Sequence, residues 1–332
     1  MTALAGQGPM LQIRNLGVRF PTPHGELTAL EHLSLDIPRG KTLAIVGESG
    51  SGKSVLARAV LRLLPRKATL DPASQILFDG TDLLRLDGQD MQGVRGKRIA
   101  MVFQDPMTAL NPTLSVGAQL AEGMRLHLGS SRGAALARAA ELLAQVGINS
   151  PERRLLQYPH ELSGGMRQRV VIAMAIACKP QLLFADEPTT ALDVTVQAEI
   201  LDLLRRLQRE HQMAMVLVTH DLGVAANYAD EIAVMYAGHL VERAATRTLL
   251  RSPRMPYTRA LLQSIPSLND APHAVLPTIA GRPPTVYGAQ AGCRFAARCT
   301  RALERCANET PAFSAAAVAG QGFRCWNPLE AA

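Results

Sequence analysis

Aromatic residues are scarce in this chain of 332 residues, with one Trp, five Tyr and seven Phe. Its core must therefore be aliphatic. Apolar residues make up 47% of the chain, and Leu, Ala, Val and Ile dominate, which suits an α/β protein with a buried parallel sheet. No stretch reaches the roughly 18 consecutive apolar residues that a membrane-spanning helix requires. The opening MTALAGQGPM lacks a positive start followed by an apolar run, so a secretory signal is not expected and the cytosol is. The formal net charge is +7, yet no block of about five or six like charges occurs, which argues against a dedicated nucleic-acid arm. That charge reads as a solvated surface or as contact with a membrane-side partner or a polyanion. The length allows one large domain or two modest ones, and no internal repeat is evident.

Two glycine-rich signals are present. GESGSGKS, Gly47 to Ser54, follows the apolar run Thr42 to Val46 and opens an expected helix, Lys53 to Leu64. That context fits a P-loop, whose glycines let backbone N–H groups curl around phosphate. Lys53 adds a point charge and Ser54 offers its hydroxyl to magnesium. The second signal, LSGGMRQ, Leu162 to Gln168, opens a helix expected to run from about Ser163 to Cys178. Each signal sets a helix N-terminus against an anion. One copy cannot use both on the same nucleotide, so a head-to-tail dimer with ATP between the first signal of one copy and the second of its partner is expected.

Strands are expected at Leu11 to Phe20, Leu27 to Ile37, Arg98 to Phe103, Gln181 to Ala185 and Met213 to Thr219. Helices are expected over Val116 to Val146, broken near Gly129 to Gly133, and over Val194 to Gln208. Their alternation predicts a doubly wound parallel sheet. An ATPase cassette is expected over residues 1–245, with a helical lobe inserted at about 105–180. A Pro-rich C-terminal module over 246–332 carries four of the five cysteines.

The order of the P-loop, LSGGMRQ, LLFADEP, ALD (Ala191 to Asp193) and the lone His220 resembles the nucleotide-binding subunits of ABC transporters. The likeness covers roughly residues 10 to 265. The resemblance implies a P-loop NTPase with a RecA-like core sheet, an N-terminal antiparallel β subdomain, a helical signature lobe and the small Cys-containing C-terminal module. ATP would be held by Phe20, stacked on adenine, and by Gly47, Glu48, Ser49, Gly50, Ser51, Gly52, Lys53, Ser54 and Val55. Magnesium would be held by Ser54, Gln104 and Asp186. Glu187 would orient and deprotonate the attacking water, with Lys53, Gln104 and His220 completing the catalytic set. Ser163, Gly164, Gly165, Gln168 and Asp193 would face the partner's ATP across the dimer seam.

GKRIAMVFQDPMTALNPTLSVGAQ (Gly96 to Gln119), QILFDGTDLL (Gln75 to Leu84) and GRPP with the cysteine array are similar to the D-type ATPase subunits of dipeptide and oligopeptide importers. That resemblance implies two integral membrane permease subunits, a second, paralogous ATPase subunit and an external peptide-binding protein, with no nucleic acid. The chain would sit peripherally on the cytoplasmic face of the inner or plasma membrane. Nickel or another small solute is the alternative cargo, and a soluble non-transport ABC ATPase the alternative class.

Cys293, Cys299, Cys306 and Cys325 have five, six and eighteen residues between them, while Cys178 stands apart as a small buried hydrophobe. Disulfides are not expected in a cytosolic chain. Thiolate clusters hold zinc or iron–sulfur, and the tight CxxC pairs of structural zinc are absent. GCRFAARC resembles the element that carries a 4Fe–4S cluster in some peptide-importer ATPases, so that cluster is the expected occupant, with zinc or free thiols as the alternatives.

Overall fold

The computed structural model describes residues 8–190, 192–265, 277–316 and 320–330; Ala191 of the ALD motif lies outside them. The chain divides into two compact units, one of residues 1–38, 42–84 and 217–332, the other of 39–41 and 85–216.

The first unit opens with a long hairpin. Leu11–Thr22 pairs antiparallel with Gly25–Ile37, from Leu11 opposite Ile37 to Thr22 opposite Gly25. Alternate residues Leu11 and Ile13 are fully buried, and Leu33, Leu35 and Ile37 answer from the second strand, the period of two expected of a sheet with one wet face. Gln75–Phe78 adds on the other side of the first strand. The next strand, Thr42–Val46, is buried at every position. It pairs parallel with Glu231–Tyr236, as a continuous apolar run should in a sheet covered on both faces. The helix after the P-loop spans Lys53–Val60, shorter than the expected run to Leu64. Arg62 turns left-handed at φ 52°, a conformation a helix cannot carry through.

The C-terminal stretch belongs to this same unit. Thr28 N–H donates to the Val286 carbonyl and Gly288 N–H to the Glu26 carbonyl, each at 2.8 Å, so residues 286–288 zip onto the free edge of the hairpin. Gly322–Phe323 pairs antiparallel with His239–Ala245. Glu242, on that strand, has no exposed surface. Its carboxylate accepts from Arg254 N at 2.6 Å, Met255 N at 3.0 Å and Gln321 Nε2 at 3.2 Å. Burial raises its pKa all the same, with those donors opposing the rise.

In the second unit, Ile99–Val102 pairs parallel with Leu182–Asp186. Helices Val116–Leu128 and Arg132–Gln145 flank the break expected near Gly129, which adopts φ 65° as the first helix's C-cap. Ser115 and Ser131 each accept an N–H three residues on, the N-cap bond worth about 1 kcal/mol. The strand Ala214–Thr219 carries the chain out of this unit into the first. No helix among the described residues is long and apolar enough to cross a membrane.

Candidate nucleotide site

The glycine loop is built so that only glycine fits. Gly47 has φ 155°, and a Cβ there would lie 2.1 Å from the Met235 carbonyl oxygen; at Gly52, φ 100°, it would lie 2.7 Å from the Ala29 oxygen. Gly52 caps the Lys53–Val60 helix in a left-handed conformation. Lys53, 5% exposed, folds back over the loop and donates to the carbonyls of Gly47 at 2.7 Å and Glu48 at 3.0 Å. The Ser51 hydroxyl is buried with no hydrogen-bond partner among the described residues. A cradle closed to a Cβ at Gly47 and Gly52, with an ammonium across it and an unspent hydroxyl, fits a polyphosphate. Ser49 and Gly50 are exposed at the loop's tip, with Ser54 and Val55 half-buried behind it. Phe20, opposite Leu27 in the hairpin, is half-buried and so keeps an accessible face. His220 is exposed just past the Ala214–Thr219 strand.

In the second unit, Asp186 closes its strand at 1% exposure. Glu187 follows with φ 45°, a left-handed backbone that costs a residue with a Cβ about 1–2 kcal/mol. The turn points its carboxylate away from the strand's line. There Oε2 accepts from Gln104 Nε2 at 3.1 Å and from Thr190 Oγ1 at 3.0 Å. Gln104 and Glu187, which the sequence analysis placed in one catalytic set, are thus brought together. Thr190 is a partner it did not anticipate, although its position in DEPTT was a signal.

Ser163 caps the helix Gly164–Ile176, accepting from Met166 N at 3.3 Å. With Gly164 it is exposed, and a Cβ on Gly165 would stand 3.1 Å from Val196 Cγ1. Gln168 differs from the rest of its group. It is 1% exposed and its Nε2 has no partner among the described residues. Asp193 is exposed and caps Val194–His211 through Val196 N at 2.9 Å, a local duty that exists with or without a partner.

Cys293, Cys299 and Cys325 pack against one apolar cluster, and Cys293 N–H donates to the Cys306 carbonyl at 2.7 Å. Burial pushes the thiol pKa of Cys293 and Cys299 up, and that of Cys325 to about 11. The four cysteines therefore share a neighbourhood and fit a thiolate-held group in kind and number. Their side chains are not gathered into a ligand set, for no three His, Cys, Asp or Glu side chains among the described residues could hold a metal ion. The expected 4Fe–4S cluster or zinc site thus gains no support from the arrangement. Cys178, half-buried, also has its pKa raised by burial.

Residues 30–190 match the ABC transporter family, and residues 241–306 match the oligopeptide/dipeptide transporter C-terminal region. The oligopeptide transport ATP-binding protein OppD of Bacillus subtilis is 50% identical over 295 residues, covering 89% of this chain and 82% of that protein. This chain belongs to the ABC transporter ATP-binding family. The dipeptide transport ATP-binding protein DppD of Bacillus subtilis is similar at 49% identity, with 90% and 88% covered. Among solved structures, the dimeric ATP-binding cassette MJ0796 in a post-hydrolysis state, bound to ADP and Pi, aligns with a TM-score of 0.64 and 28% identity. It covers 72% of this chain and 99% of that one. An ABC cassette of this kind is an ATPase, and ATP with magnesium is its implied ligand.

Proposed function

We propose that this chain is the ATP-hydrolysing subunit that powers a membrane importer of di- or oligopeptides. The observation that carries the cargo class is the match of residues 241–306 to the oligopeptide/dipeptide transporter C-terminal region, joined by the two Bacillus subtilis relatives. Its expected assembly is two permease subunits, a second ATPase subunit and an external peptide-binding protein, with the chain peripheral on the cytoplasmic face. The cassette of residues 1–245 would supply the motor, and 246–332 the branch-specific module.

Phosphoryl transfer to water demands charge neutralisation and an aligned nucleophile more than covalent chemistry. The P-loop N–H groups and Lys53 bind the triphosphate, and Phe20 offers its open face to adenine. Ser54 and Asp186, with Gln104, are the residues that would hold magnesium, which supplies positive charge at the phosphate oxygens. Glu187, aimed by its left-handed backbone and by Gln104 and Thr190, takes the proton of the attacking water. His220 donates towards the γ-phosphate. Ser163, Gly164 and Gly165 serve the nucleotide of a partner subunit, which ties hydrolysis to closure of the pair. The four-cysteine element is where a 4Fe–4S cluster would be held, on the strength of its donor chemistry; iron and sulfide analysis of anaerobically purified protein checks it.

The test is uptake by cells lacking this chain. Labelled dipeptides and oligopeptides should no longer accumulate, and wild-type chain but not Lys53→Ala should restore them. Loss of nickel uptake with peptide uptake intact would assign the motor to the other cargo. Undisturbed uptake of both would remove the transport reading.

A further inference from the structure

The phosphate loop does not stand on its own strand and helix alone. Glu48, its second residue, lies where three sets of contacts meet. Its carbonyl accepts from Lys53 Nζ at 3.0 Å and from Ser51 N–H at 3.2 Å. Its N–H donates to the Tyr257 hydroxyl at 3.1 Å. Its carboxylate is gripped on both oxygens by Arg298, with Nη1 to Oε2 at 2.7 Å and Nη2 to Oε1 at 3.0 Å.

Arg298 belongs to the cysteine-bearing segment, one residue before Cys299. Its side chain is 6% exposed, and its remaining donors are also placed. Nη1 reaches the Tyr236 hydroxyl at 3.2 Å, Nε the Ala280 carbonyl at 2.8 Å, and Nη2 the Ile279 carbonyl at 3.2 Å. A guanidinium offers five N–H donors in a rigid fork, and a fork-to-fork carboxylate pair fixes orientation as well as distance. Beneath it, the Tyr236 ring stands 4.6 Å from Tyr257 and 5.3 Å from Phe295, with Tyr257 and Phe295 at 5.2 Å. Phe295 comes from the same cysteine segment as Arg298. Three of the chain's few aromatic rings are therefore spent on one platform behind the phosphate loop.

We propose that Arg298 is a positioning residue for ATP, through which the C-terminal cysteine segment holds the phosphate loop in its binding geometry by way of Glu48. The inference rests on reading GESGSGKS as the ATP site. Two effects follow from the contact. The fork sets the carbonyl that steers Lys53. It also neutralises a carboxylate that would otherwise stand uncompensated beside the triphosphate, in a partly buried place where like charges are poorly screened.

The experiment measures ATP KM and kcat of the assembled complex and ATP affinity of the full-length chain, for Arg298→Ala, Arg298→Lys, Glu48→Gln and Arg298→Ala with Glu48→Gln. Arg298→Ala should raise KM and Kd for ATP by about 10-fold or more while kcat changes by less than about 2-fold. Arg298→Lys, which keeps the charge and loses the fork, should fall between. Adding Glu48→Gln to Arg298→Ala should recover part of the affinity, so the two changes should be non-additive. Unchanged ATP affinity in a folded Arg298→Lys or Arg298→Ala protein, or strictly additive effects, would overturn the proposal. So would a parallel loss of kcat at constant KM. Should Arg298→Ala not fold, Arg298→Lys is judged by the same criteria. Lys53→Ala is the control for the underlying reading. If it binds ATP like wild type, the ATP-site assignment itself fails; if it abolishes binding while the Arg298 variants bind normally, only the brace is wrong.

Discussion

The phosphate loop and the signature segment are both glycine-rich helix starts, yet the structure treats them differently. The loop at Gly47 to Ser54 is pinned from below. Gly47 and Gly52 admit no Cβ, Lys53 is 5% exposed, and Glu48 is clamped by Arg298 and Tyr257. Ser163 and Gly164, by contrast, are exposed, and the Ser163 hydroxyl accepts from Met166 N–H of its own helix. The first is preorganised to take a ligand as it stands. The second leaves its first residues at the surface. The Gln104–Glu187 pair resembles the second case, with an exposed glutamine whose Nε2 meets the Glu187 carboxylate at 3.1 Å beside Thr190 Oγ1 at 3.0 Å. On the proposed reading, binding falls to the braced end and hydrolysis to the open one.

That contrast can be broken by separating the two activities. The largest effect is expected at Glu187. Glu187→Gln keeps the shape and the hydrogen-bonding reach but not the base, so turnover should fall by about 100-fold or more while ATP affinity holds, read by equilibrium binding beside steady-state hydrolysis. A Glu187→Gln protein that turns over normally would move the base elsewhere.

A smaller effect sharpens the view of the braced end. Arg294, in the cysteine segment, pairs with Glu31 of the hairpin, and His239 Nε2 lies 3.1 Å from the same carboxylate. The His239 hydrogen bond, opposed by burial and aided by Arg294, holds the Glu31 pKa down at about 2. Burial holds His239 down at about 4 despite Glu31, since Arg294 already supplies the positive charge. Both folded-state values lie below the ordinary 6.5 of His and 4.5 of Glu. In each case the unfolded chain therefore binds more protons as acid is added, and stability falls with pH. His239 contributes fully above about 6.5 and loses its share towards about 4; Glu31 follows from about 4.5 towards 2. The melting temperature should therefore drop by a few degrees between pH 7 and pH 5, and His239→Gln should flatten that slope. An unchanged slope in His239→Gln would show that other groups set it.

Much of this was legible in the sequence for local reasons. The Thr42–Val46 strand is apolar throughout, the glycine loop follows it directly, and Ser115, Ser131 and Ser163 stand where caps belong. Helix ends were less legible because single left-handed residues such as Arg62 and Gln212 decide them, and neither is a glycine. Contacts distant in the chain were not legible at all. Arg298 and Glu48 are 250 positions apart, and nothing in RFAARC names its carboxylate. The scarcity of aromatic residues was the available hint, since Tyr236, Tyr257 and Phe295 form one platform. Gln168, grouped by its motif with Ser163 and Gly164, differs from them in being buried.

The division between a braced binding end and an open end is tested most directly by Ser163→Asp. Aspartate caps a helix as well as serine does, so the fold should persist while a carboxylate replaces the hydroxyl that we propose serves a partner's phosphate. ATP affinity and ATP turnover are measured on the same preparation of the assembled complex. The account predicts wild-type affinity at the phosphate loop with turnover nearly abolished; turnover equal to wild type would contradict it.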